Sequence, residues 1–486
     1  MPKLLLAPCA PWLRALIALS ALGLMQASCS GDGGSTTGGT RAGAAGLGGN
    51  GSEDPDASST GGAGGATGGS TGKGGTTGTG GSGTGGTTGT GGATGGTAGT
   101  ATGGTAGKGG TAGTGGGTSK DAGTDIVVPP PPPTDGGAAG IGAKLGRSHF
   151  MVGLGPKDST YPPTGQIDIR YAYLVGNADV NSSWTKWNSP DGEYAAIVAK
   201  DADSHGAIPM FDVYEFAADG DGNFAIVNDA TFMKRYWADV QLLADKIKAF
   251  NKPAIVHVEP DFWGYAQSNA TNGDPTKFKA QVKIGPCTDL PDDLTGLAQC
   301  TFRIFRTTSP KAVVGLHASQ WGAYDAKGNP DGAAVGKFLA QVAGGQADYV
   351  ATDPLDRDAG CFEAKPSAYD CDRGGTTGWY LDESNTTSPN YKEYLAWSKA
   401  MHDAAGVPMM WWQTPLGVPS TTPGGTVGKF RDNRVHYIFS HVREFIDVGG
   451  FAAVFGKGAD GQTTISTDNG QFEQALVKYN GAPEPL

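Results

Sequence analysis

Residues Ala254–Tyr265, AIVHVEPDFWGY, form a short apolar run that ends in two acids and an aromatic cluster. Because Pro260 cannot donate a hydrogen bond to a central ladder, the run predicts a buried strand that ends near this proline. Side chains alternate along a strand, so one face is expected to carry Ile255, His257, Glu259 and Asp261. Two acids at the C-terminal end of a strand favour an active site, although a solvated or salt-bridged pair of acids is the competing interpretation.

Seven further apolar runs of similar length lie on either side of this strand. The eight predicted strands are Ser148–Leu154, Ile167–Val175, Ile208–Phe216, Ala254–Asp261, Ala312–Ser319, Asp348–Asp353, Pro408–Gln413 and Phe451–Gly456. Apolar residues spaced by three and four, such as Met233 and Tyr236, predict helices between them. This alternation predicts a TIM-like (β/α)8 barrel. A distorted seven-stranded version stays open, because Pro156, Pro162 and Pro163 leave the first unit without a clear helix.

Composition divides the 486-residue chain into three parts. Residues 1–28 carry basic residues around apolar runs that are too short to span a membrane, which predicts a secretory signal peptide. Residues 29–145 hold Gly/Thr/Ala/Ser repetition and the proline run Pro129–Pro133, and they predict a disordered linker. The barrel is expected to occupy residues 146–486, with residues 136–142 as a last glycine-rich hinge before it.

The end of the signal region, Gln26-Ala27-Ser28-Cys29, resembles the lipobox of bacterial lipoproteins. Gln26 departs from the aliphatic residue that is usual at its position. Lipidation of Cys29 would anchor the chain to a membrane, whereas ordinary cleavage near Ala27 would release it. In both cases the protein is expected to be exported, either as an outer-membrane or cell-surface lipoprotein or as a secreted protein.

The net charge of −11 and the absence of Lys/Arg clusters argue against a nucleic-acid partner. This charge balance is compatible with a neutral substrate. No Gly-x-Gly-x-x-Gly follows a predicted strand and no P-loop occurs, so a nucleotide cofactor is not expected. The barrel is expected to be a monomer.

Four cysteines follow the signal region: Cys287, Cys300, Cys361 and Cys371. An even number in an exported chain predicts disulfides. The pairs closest in sequence, Cys287 with Cys300 and Cys361 with Cys371, are the expected ones, although three pairings are possible. Zinc is disfavoured because the spacing is not that of a zinc site and no histidine lies beside the cysteines.

Acids and aromatic side chains recur where the predicted strands end. In chain order they are Tyr173, Asp212, Glu215, Glu259, Asp261, Trp263, His317, Trp321, Asp353, Trp412, Gln413, Lys457 and Asp460. Glycoside hydrolysis needs one carboxylic acid to protonate the leaving oxygen and a second carboxylate to attack or to activate water, while aromatic rings stack on sugars. A single tryptophan is better explained by core packing, and only the whole set favours a sugar site.

The loop Asp219-Gly220-Asp221-Gly222-Asn223 places oxygen ligands at alternate positions, as calcium loops do. It lacks the bidentate glutamate that closes a complete calcium motif. A mobile loop over the site is therefore the favoured interpretation, with calcium at Asp219, Asp221 and Asn223 as the minor one. No other cofactor is expected.

Three segments resemble the glycoside hydrolase family that contains the inverting cellobiohydrolases and endoglucanases (family six). Val258–Trp263, VEPDFW, resembles the family's strand-four signature, and Gly315–Trp321 resembles its next strand. Lys457–Gly461 is similar to a shortened form of its late loop. The resemblance implies that Asp261 is the general acid and that Lys457 and Asp460 lie near the water side of the sugar.

Other segments depart from that family. Phe211–Glu215 matches the family's acidic strand-two signature only loosely, and Met409–Pro415 has no counterpart in it. Retaining barrel glycosidases with Asn-Glu-Pro on strand four are a second comparison, in which Glu259 would be the acid/base. Their strand-seven glutamate is missing here, because Gln413 occupies the equivalent place.

The sequence therefore predicts an exported glycoside hydrolase that acts on a polysaccharide with inversion. Asp261 is expected to be the general acid, with its pKa raised by Glu259 or Glu215, and the base is expected to be Asp460 or Asp353. The expected substrate-binding residues are Asp212, Tyr173, Trp263, His317, Trp321, Trp412, Gln413 and Lys457.

Two alternatives stay open. One is a non-catalytic carbohydrate-binding surface lipoprotein on the same barrel. The other is a metal-dependent hydrolase with His257 and His317 among its ligands, which is disfavoured because no His-x-His or His-Glu-x-x-His pattern occurs.

Overall fold

The computed structural model describes residues 137–155, 161–176, 180–220, 222–365, 380–422, 424–457 and 461–486. The predicted signal peptide, Cys29 and the linker up to residue 136 lie outside these ranges. Within the ranges, no helix is long and apolar enough to cross a bilayer.

Eight parallel strands pair in chain order and close into a barrel. They are β1 Met151–Leu154, β2 Ile169–Val175, β3 Ile208–Tyr214, β4 Ala254–Val258, β5 Ala312–His317, β6 Tyr349–Thr352, β7 Met409–Thr414 and β8 Gly450–Phe455. Pairing of β1 with β8, in which Met151 lies opposite Ala452, completes the circle. The predicted (β/α)8 barrel is therefore confirmed, and the seven-stranded alternative is wrong.

Helices lie between the strands and around the barrel. They are α1 Ala138–Leu145, α2 Glu193–Ser204, α3 Ala230–Phe250, α4 Phe262–Asn269, α5 Leu294–Thr308, α6 Gly332–Ala343, α7 Ala359–Ala364, α8 Tyr391–Ala405, α9 Arg434–Ser440, α10 Val442–Asp447 and α11 Gln471–Asn480. Residues 161–168, the described part of the connection between β1 and β2, contain no helix, as the prolines there predict.

Side chains of β4 alternate between two apolar clusters. Ile255 belongs to the cluster inside the barrel, whereas Val256 and Val258 belong to the cluster between the strands and the surrounding helices. The alternation predicted for this strand stops at Val258, because Glu259 has a positive φ of 48° and turns the chain out of the strand. Glu259 and Asp261 therefore do not continue the face that carries Ile255 and His257.

Helix α1 closes the N-terminal end of the barrel. Its Ile141 and Leu145 are buried in the interior cluster, and Lys144 Nζ lies 2.8 Å from Oδ1 of the buried Asp348. At Gly142 a Cβ atom would lie 2.7 Å from the Arg147 carbonyl oxygen, so a side chain does not fit there. Part of the expected hinge is thus helical, because two apolar side chains anchor α1 to the barrel.

Cys287 and Cys300 form a disulfide, as predicted. Cys361 is also disulfide-bonded, and its expected partner Cys371 lies outside the described residues.

Candidate active site

Two histidines lie side by side at the C-terminal end of the barrel interior. His257 of β4 and His317 of β5 are completely buried, and His257 Nε2 lies 3.3 Å from His317 Nδ1. His257 Nδ1 lies 2.9 Å from Asp212 Oδ1. His317 Nε2 lies 3.6 Å from Asp353 Oδ1, which is ion-pair distance but longer than a good hydrogen bond. These four side chains form a continuous series, here named the Asp–His row, from the buried Asp212 to the rim at Asp353.

Trp412 forms a wall of the Asp–His row. Its Nε1 donates to Asp212 Oδ2 at 3.1 Å, and its ring meets His257 edge-on at 4.8 Å between centroids. Because the side chain is only 1% exposed, it offers no free face to a sugar. The predicted role of Trp412 as a sugar platform is wrong, and the side chain instead supports the carboxylate beneath the site.

Arg357 ties together the side chains at the rim. Its Nη1 lies 3.3 Å from Asp353 Oδ2 and donates to Gln413 Oε1 at 3.0 Å, and its Nη2 lies 3.2 Å from Asp358 Oδ2. Gln413 Nε2 donates in turn to the hydroxyl of Tyr173. Arg357 is not among the residues predicted from the sequence, although its position among the acids of DPLDRD after β6 is a signal for it.

The surroundings of Asp261 and Asp353 shift their pKa values in opposite directions. Burial raises the pKa of Asp261 although the charge of Arg357 opposes the rise, and Asp353 and Asp358 add to it. Burial would also raise the pKa of Asp353, but the ion-pair contact with His317 and the charge of Arg357 outweigh it, so this pKa lies below its usual range. Near neutral pH, Asp261 is thus the better proton donor and Asp353 the better ionised base.

Three residues at the strand ends adopt the left-handed backbone region that non-glycine residues rarely occupy. They are Glu259 with φ 48°, Asp261 with φ 66° and Gln413 with φ 51°. Such conformations cost on the order of 1–3 kcal/mol each and concentrate at functional sites. These conformations therefore favour a functional site at the C-terminal ends of β4 and β7.

Glu259 and Glu215 lie away from this rim. The Glu259 carboxylate accepts hydrogen bonds from the backbone N–H groups of Glu215 and Phe216, both at 3.0 Å. Glu215 accepts from Trp184 Nε1 at 2.8 Å, and burial raises its pKa well above the usual range, with the charge of Asp239 on α3 adding to the rise. Their predicted role as tuners of Asp261 is not supported, because both acids occupy the interface between the barrel and α3.

The remaining tryptophans of the set differ in exposure. Trp263 is 1% exposed and donates to the Val258 carbonyl oxygen, so it is a core residue and not the predicted platform. Trp321 is half-buried, with its ring centroid 4.4 Å from that of Tyr265. The role of Trp321 as a sugar platform stays a prediction, with which its partial exposure beside Tyr265 is compatible.

Other predicted residues lie at the edges of the site. Lys457 is separated from the end of β8 by Gly456 and is half-buried, whereas Asp460 lies outside the described residues. Asp221 of the predicted calcium loop is outside them too, and Asn223 Oδ1 accepts from the Ala225 N–H at 3.1 Å.

The structure does not favour His257 and His317 as metal ligands. The two ring nitrogens of His257 face Asp212 and His317. In the parts of the chain that the structure describes, no group of three or more His, Cys, Asp or Glu residues could hold a metal ion.

A cavity of about 600 Å³ opens among the loops that follow β6 and β7. Tyr380, Glu383 and Arg431 contribute to its lining. Asp432 lines it as well and pairs with the buried Arg434, whose other partner is Asp356. The cavity therefore lies on the same end of the barrel as Asp353 and is fixed to its loop by a buried ion pair.

No protein-family model and no curated protein matches this chain. Solved structures match at low identity. An endo-β-1,4-mannanase double mutant of Cellulomonas fimi has a TM-score of 0.40 at 12% identity, over 69% of this chain and 72% of the other. A Bacteroides ovatus GH5 xyloglucanase in complex with a XXXG heptasaccharide has a TM-score of 0.41 at 11% identity, over 70% and 76%.

A D-psicose 3-epimerase solved in the presence of D-fructose also matches, with a TM-score of 0.33 at 12% identity, over 65% of this chain and 89% of the other. At these identities and TM-scores the matches assign no activity. The function of this chain has to be argued from its own side chains.

Proposed function

We propose that this protein is an exported glycoside hydrolase that cleaves a polysaccharide or oligosaccharide with inversion. Asp261 is the general acid and Asp353 is the base. The observation that carries the proposal is the position of Asp353 beside Arg357 and His317 at the barrel mouth, with Asp261 near the same guanidinium. These surroundings shift the pKa values of the two acids in opposite directions. Two carboxyl groups whose surroundings separate their pKa values are suited to the acid and base roles of glycoside hydrolysis.

The two carboxyl groups divide the reaction between them. Asp261 gives its proton to the glycosidic oxygen as the bond to the anomeric carbon breaks. Asp353 takes a proton from the water that attacks that carbon from the opposite face, so the hydroxyl of the product has the inverted configuration. Arg357 and His317 favour the ionised form of Asp353 that this step needs.

Side chains around the pair are suited to hold a sugar. Trp321 and Tyr265 form a half-buried aromatic pair after β5 and β4 and can stack on an apolar sugar face. Gln413 and Tyr173 are hydrogen-bonded to each other at the rim and can bind hydroxyl groups. The cavity of about 600 Å³ among the loops after β6 and β7 is large enough for further sugar units of a longer chain.

Export and anchoring are part of the same proposal and rest on the N-terminal sequence. Lipidation of Cys29 would hold the barrel at a membrane surface through the linker. A Cys29→Ala variant should then leave the membrane fraction and appear in the soluble exported fraction. If wild type and variant fractionate alike, the anchor at Cys29 is wrong.

The hydrolase proposal is tested with the purified protein on β-glucans, xylans, mannans and peptidoglycan. Release of reducing ends from one of these polymers is expected. Asp353→Asn should lower kcat by about 10²- to 10⁴-fold, because a positioned acid or base contributes that much. Asp403→Asn, at an exposed pair with Lys399 on α8, is the matched control.

Two results would contradict this proposal. Unchanged hydrolysis by Asp353→Asn would remove Asp353 as the base and direct attention to Asp460. Binding of a polymer without hydrolysis by the wild-type protein would favour the non-catalytic carbohydrate-binding alternative.

A further inference from the structure

The contacts of the Asp–His row fix its proton count. Asp212 meets His257, His257 meets His317, and His317 meets Asp353. The first two contacts are hydrogen bonds between atoms that can both accept, so each needs one hydrogen. The third is an ion-pair contact of 3.6 Å between His317 Nε2 and Asp353 Oδ1, and it is attractive only with a hydrogen on one of these two atoms. The four groups therefore share three protons and carry a net charge of −1. Either a proton lies on one carboxyl group and both rings are neutral, or both carboxylates are ionised and flank one imidazolium.

Burial decides which end of the row carries the charge. Asp212 is completely buried and meets Trp412 Nε1 and His257 Nδ1. The Asp353 side chain is 15% exposed and faces the Arg357 guanidinium. A charge is less costly beside a cation at the rim than in the barrel interior. The burial that raises the pKa of Asp212 and lowers that of His257 favours the same arrangement.

We propose that Asp212 and His257 are positioning residues, which fix His317 with its proton on Nε2 and thereby keep Asp353 ionised. The protonated Asp212 donates to His257 Nδ1, His257 Nε2–H donates to His317 Nδ1, and His317 Nε2–H faces the ionised Asp353 across 3.6 Å. The role of this row in catalysis rests on the proposed function of Asp353 as the base.

Several other titratable or charged groups face the row from the surrounding elements. They are Tyr173 on β2, Asp261 after β4, Tyr349 on β6, and Arg357 and Asp358 after β6. Burial raises the pKa of both tyrosines well above the usual value, so they stay neutral through the neutral range. A change of activity with pH in the neutral range therefore has to come from the groups of the Asp–His row, acting in the field of Asp261, Asp358 and Arg357.

Two substitutions at Asp212 can distinguish whether its carboxyl group is protonated or ionised. The amide of Asp212→Asn can donate to His257 Nδ1 while its oxygen accepts from Trp412 Nε1, which reproduces both contacts of a protonated Asp212. Asp212→Leu has a similar shape but neither donates nor accepts. If Asp212 were ionised, the asparagine would instead remove a charge and leave the row with the wrong proton count.

The first measurement is the ¹⁵N NMR spectrum of the histidine side chains in the wild-type protein and in Asp212→Asn. Both rings of the row are expected to be neutral and protonated on Nε2 near pH 7 in both proteins. Nδ1-protonated rings or an imidazolium in the wild-type row would overturn the proposal. This measurement needs no substrate, so it tests the row even if the proposed hydrolase activity fails.

The second measurement is the pH profile of kcat/KM. Asp212→Asn should keep the acidic limb at its wild-type pH, while Asp212→Leu should move it upward by about one pH unit, which corresponds to a tenfold change in the ionisation equilibrium of Asp353. His402→Gln, whose ring hydrogen-bonds to the Val407 carbonyl oxygen, is the control. A shift in Asp212→Asn as large as that in Asp212→Leu would overturn the proposal. If Asp212→Leu fails to fold, the pH profile of Asp212→Asn and the ¹⁵N spectrum of the wild-type protein still show whether Asp212 is protonated.

The proton arrangement of the Asp–His row and the role of Asp353 as the base can be refuted separately. Predicted tautomers together with an active Asp353→Asn variant would support the proton arrangement and refute Asp353 as the base. Tautomers that differ from the prediction, together with an inactive Asp353→Asn variant, would refute the row and leave the proposed function standing.

Discussion

Arg357 Nη1 lies 3.3 Å from Asp353 Oδ2, and the same guanidinium also interacts electrostatically with Asp261. One cation thus acts on both carboxyl groups that the proposed mechanism uses. Arg357 lowers the pKa of both acids. Only at Asp353 do Arg357 and His317 together outweigh the rise in pKa that burial causes. The difference between the two acids depends on which of them His317 contacts.

Replacement of Arg357 by glutamine should raise the pKa of Asp353, because the variant loses the nearest positive charge. The acidic limb of kcat/KM is expected to move upward by about one pH unit. Arg443→Gln, on an exposed segment of α10, is the control and should leave the profile unchanged. An unmoved limb in Arg357→Gln would show that Arg357 does not set the ionisation of Asp353.

Two buried acids at the interface between the barrel and α3, Glu259 and Asp239, should make the stability of the fold depend on pH. Burial raises the pKa of Glu259 to about 8 and that of Asp239 to about 6. A carboxyl group with a raised pKa in the folded state stabilises the fold fully below its unfolded pKa and loses that contribution as pH rises through the folded pKa. Between about pH 4.5 and pH 8, Glu259 should therefore lower the free energy of unfolding by up to about 1.4 kcal/mol per pH unit.

Urea denaturation of the wild-type protein and of Glu259→Gln across this pH range measures that effect. The glutamine can accept the same two backbone hydrogen bonds but does not titrate. The difference in unfolding free energy between the two proteins should change with pH in the glutamine's favour as pH rises. Glu393→Gln, at an exposed position of α8, is the control, and a constant difference for Glu259→Gln would contradict the raised pKa.

Helix α1 should contribute to stability although it lies in a glycine-rich segment. Leu145→Ala removes a side chain that is 2% exposed, and it is expected to cost about 2–5 kcal/mol. Val477→Ala on α11, where the side chain is 44% exposed, should cost little. Equal denaturation midpoints for Leu145→Ala and the wild-type protein would mean that α1 does not pack as described.

Two tryptophans should respond differently to removal. Trp321→Ala should raise KM by about tenfold or more with little change in stability, because the half-buried ring is a stacking face. Trp263→Ala should destabilise the protein by about 3–5 kcal/mol, because its ring fills the core. Steady-state kinetics and thermal denaturation of the same two variants measure both effects. An unchanged KM in Trp321→Ala would remove Trp321 from the sugar site.

The sequence was sufficient to predict the barrel and much of its mouth. Apolar runs locate all eight strands to within a few residues, because buried parallel strands are continuously apolar. Parallel strands also carry their C-terminal ends to one face, so Asp212, His317, Asp353 and Gln413 could be expected to meet.

Other features depend on conformations that the pattern does not encode. The positive φ of Glu259 ends the alternation early and sends the carboxylate toward α3. The burial of Trp263 and Trp412 follows from packing between elements that are distant in sequence. It could not be predicted, because the sequence pattern of a tryptophan in a core does not differ from that of a tryptophan that contacts a ligand. Arg357 was missed because its role comes from a loop conformation, and α1 because only two side chains anchor it.

The most direct test of the account compares two substrates that differ in their leaving group. A natural oligosaccharide needs its leaving oxygen protonated, whereas a dinitrophenyl glycoside of the same sugar leaves as a stable anion and does not. Asp261→Asn is predicted to lower kcat about 10²- to 10⁴-fold on the oligosaccharide and less than about tenfold on the aryl glycoside. Asp353→Asn is predicted to impair both. Equal losses on the two substrates in Asp261→Asn would contradict the assignment of Asp261 as the general acid.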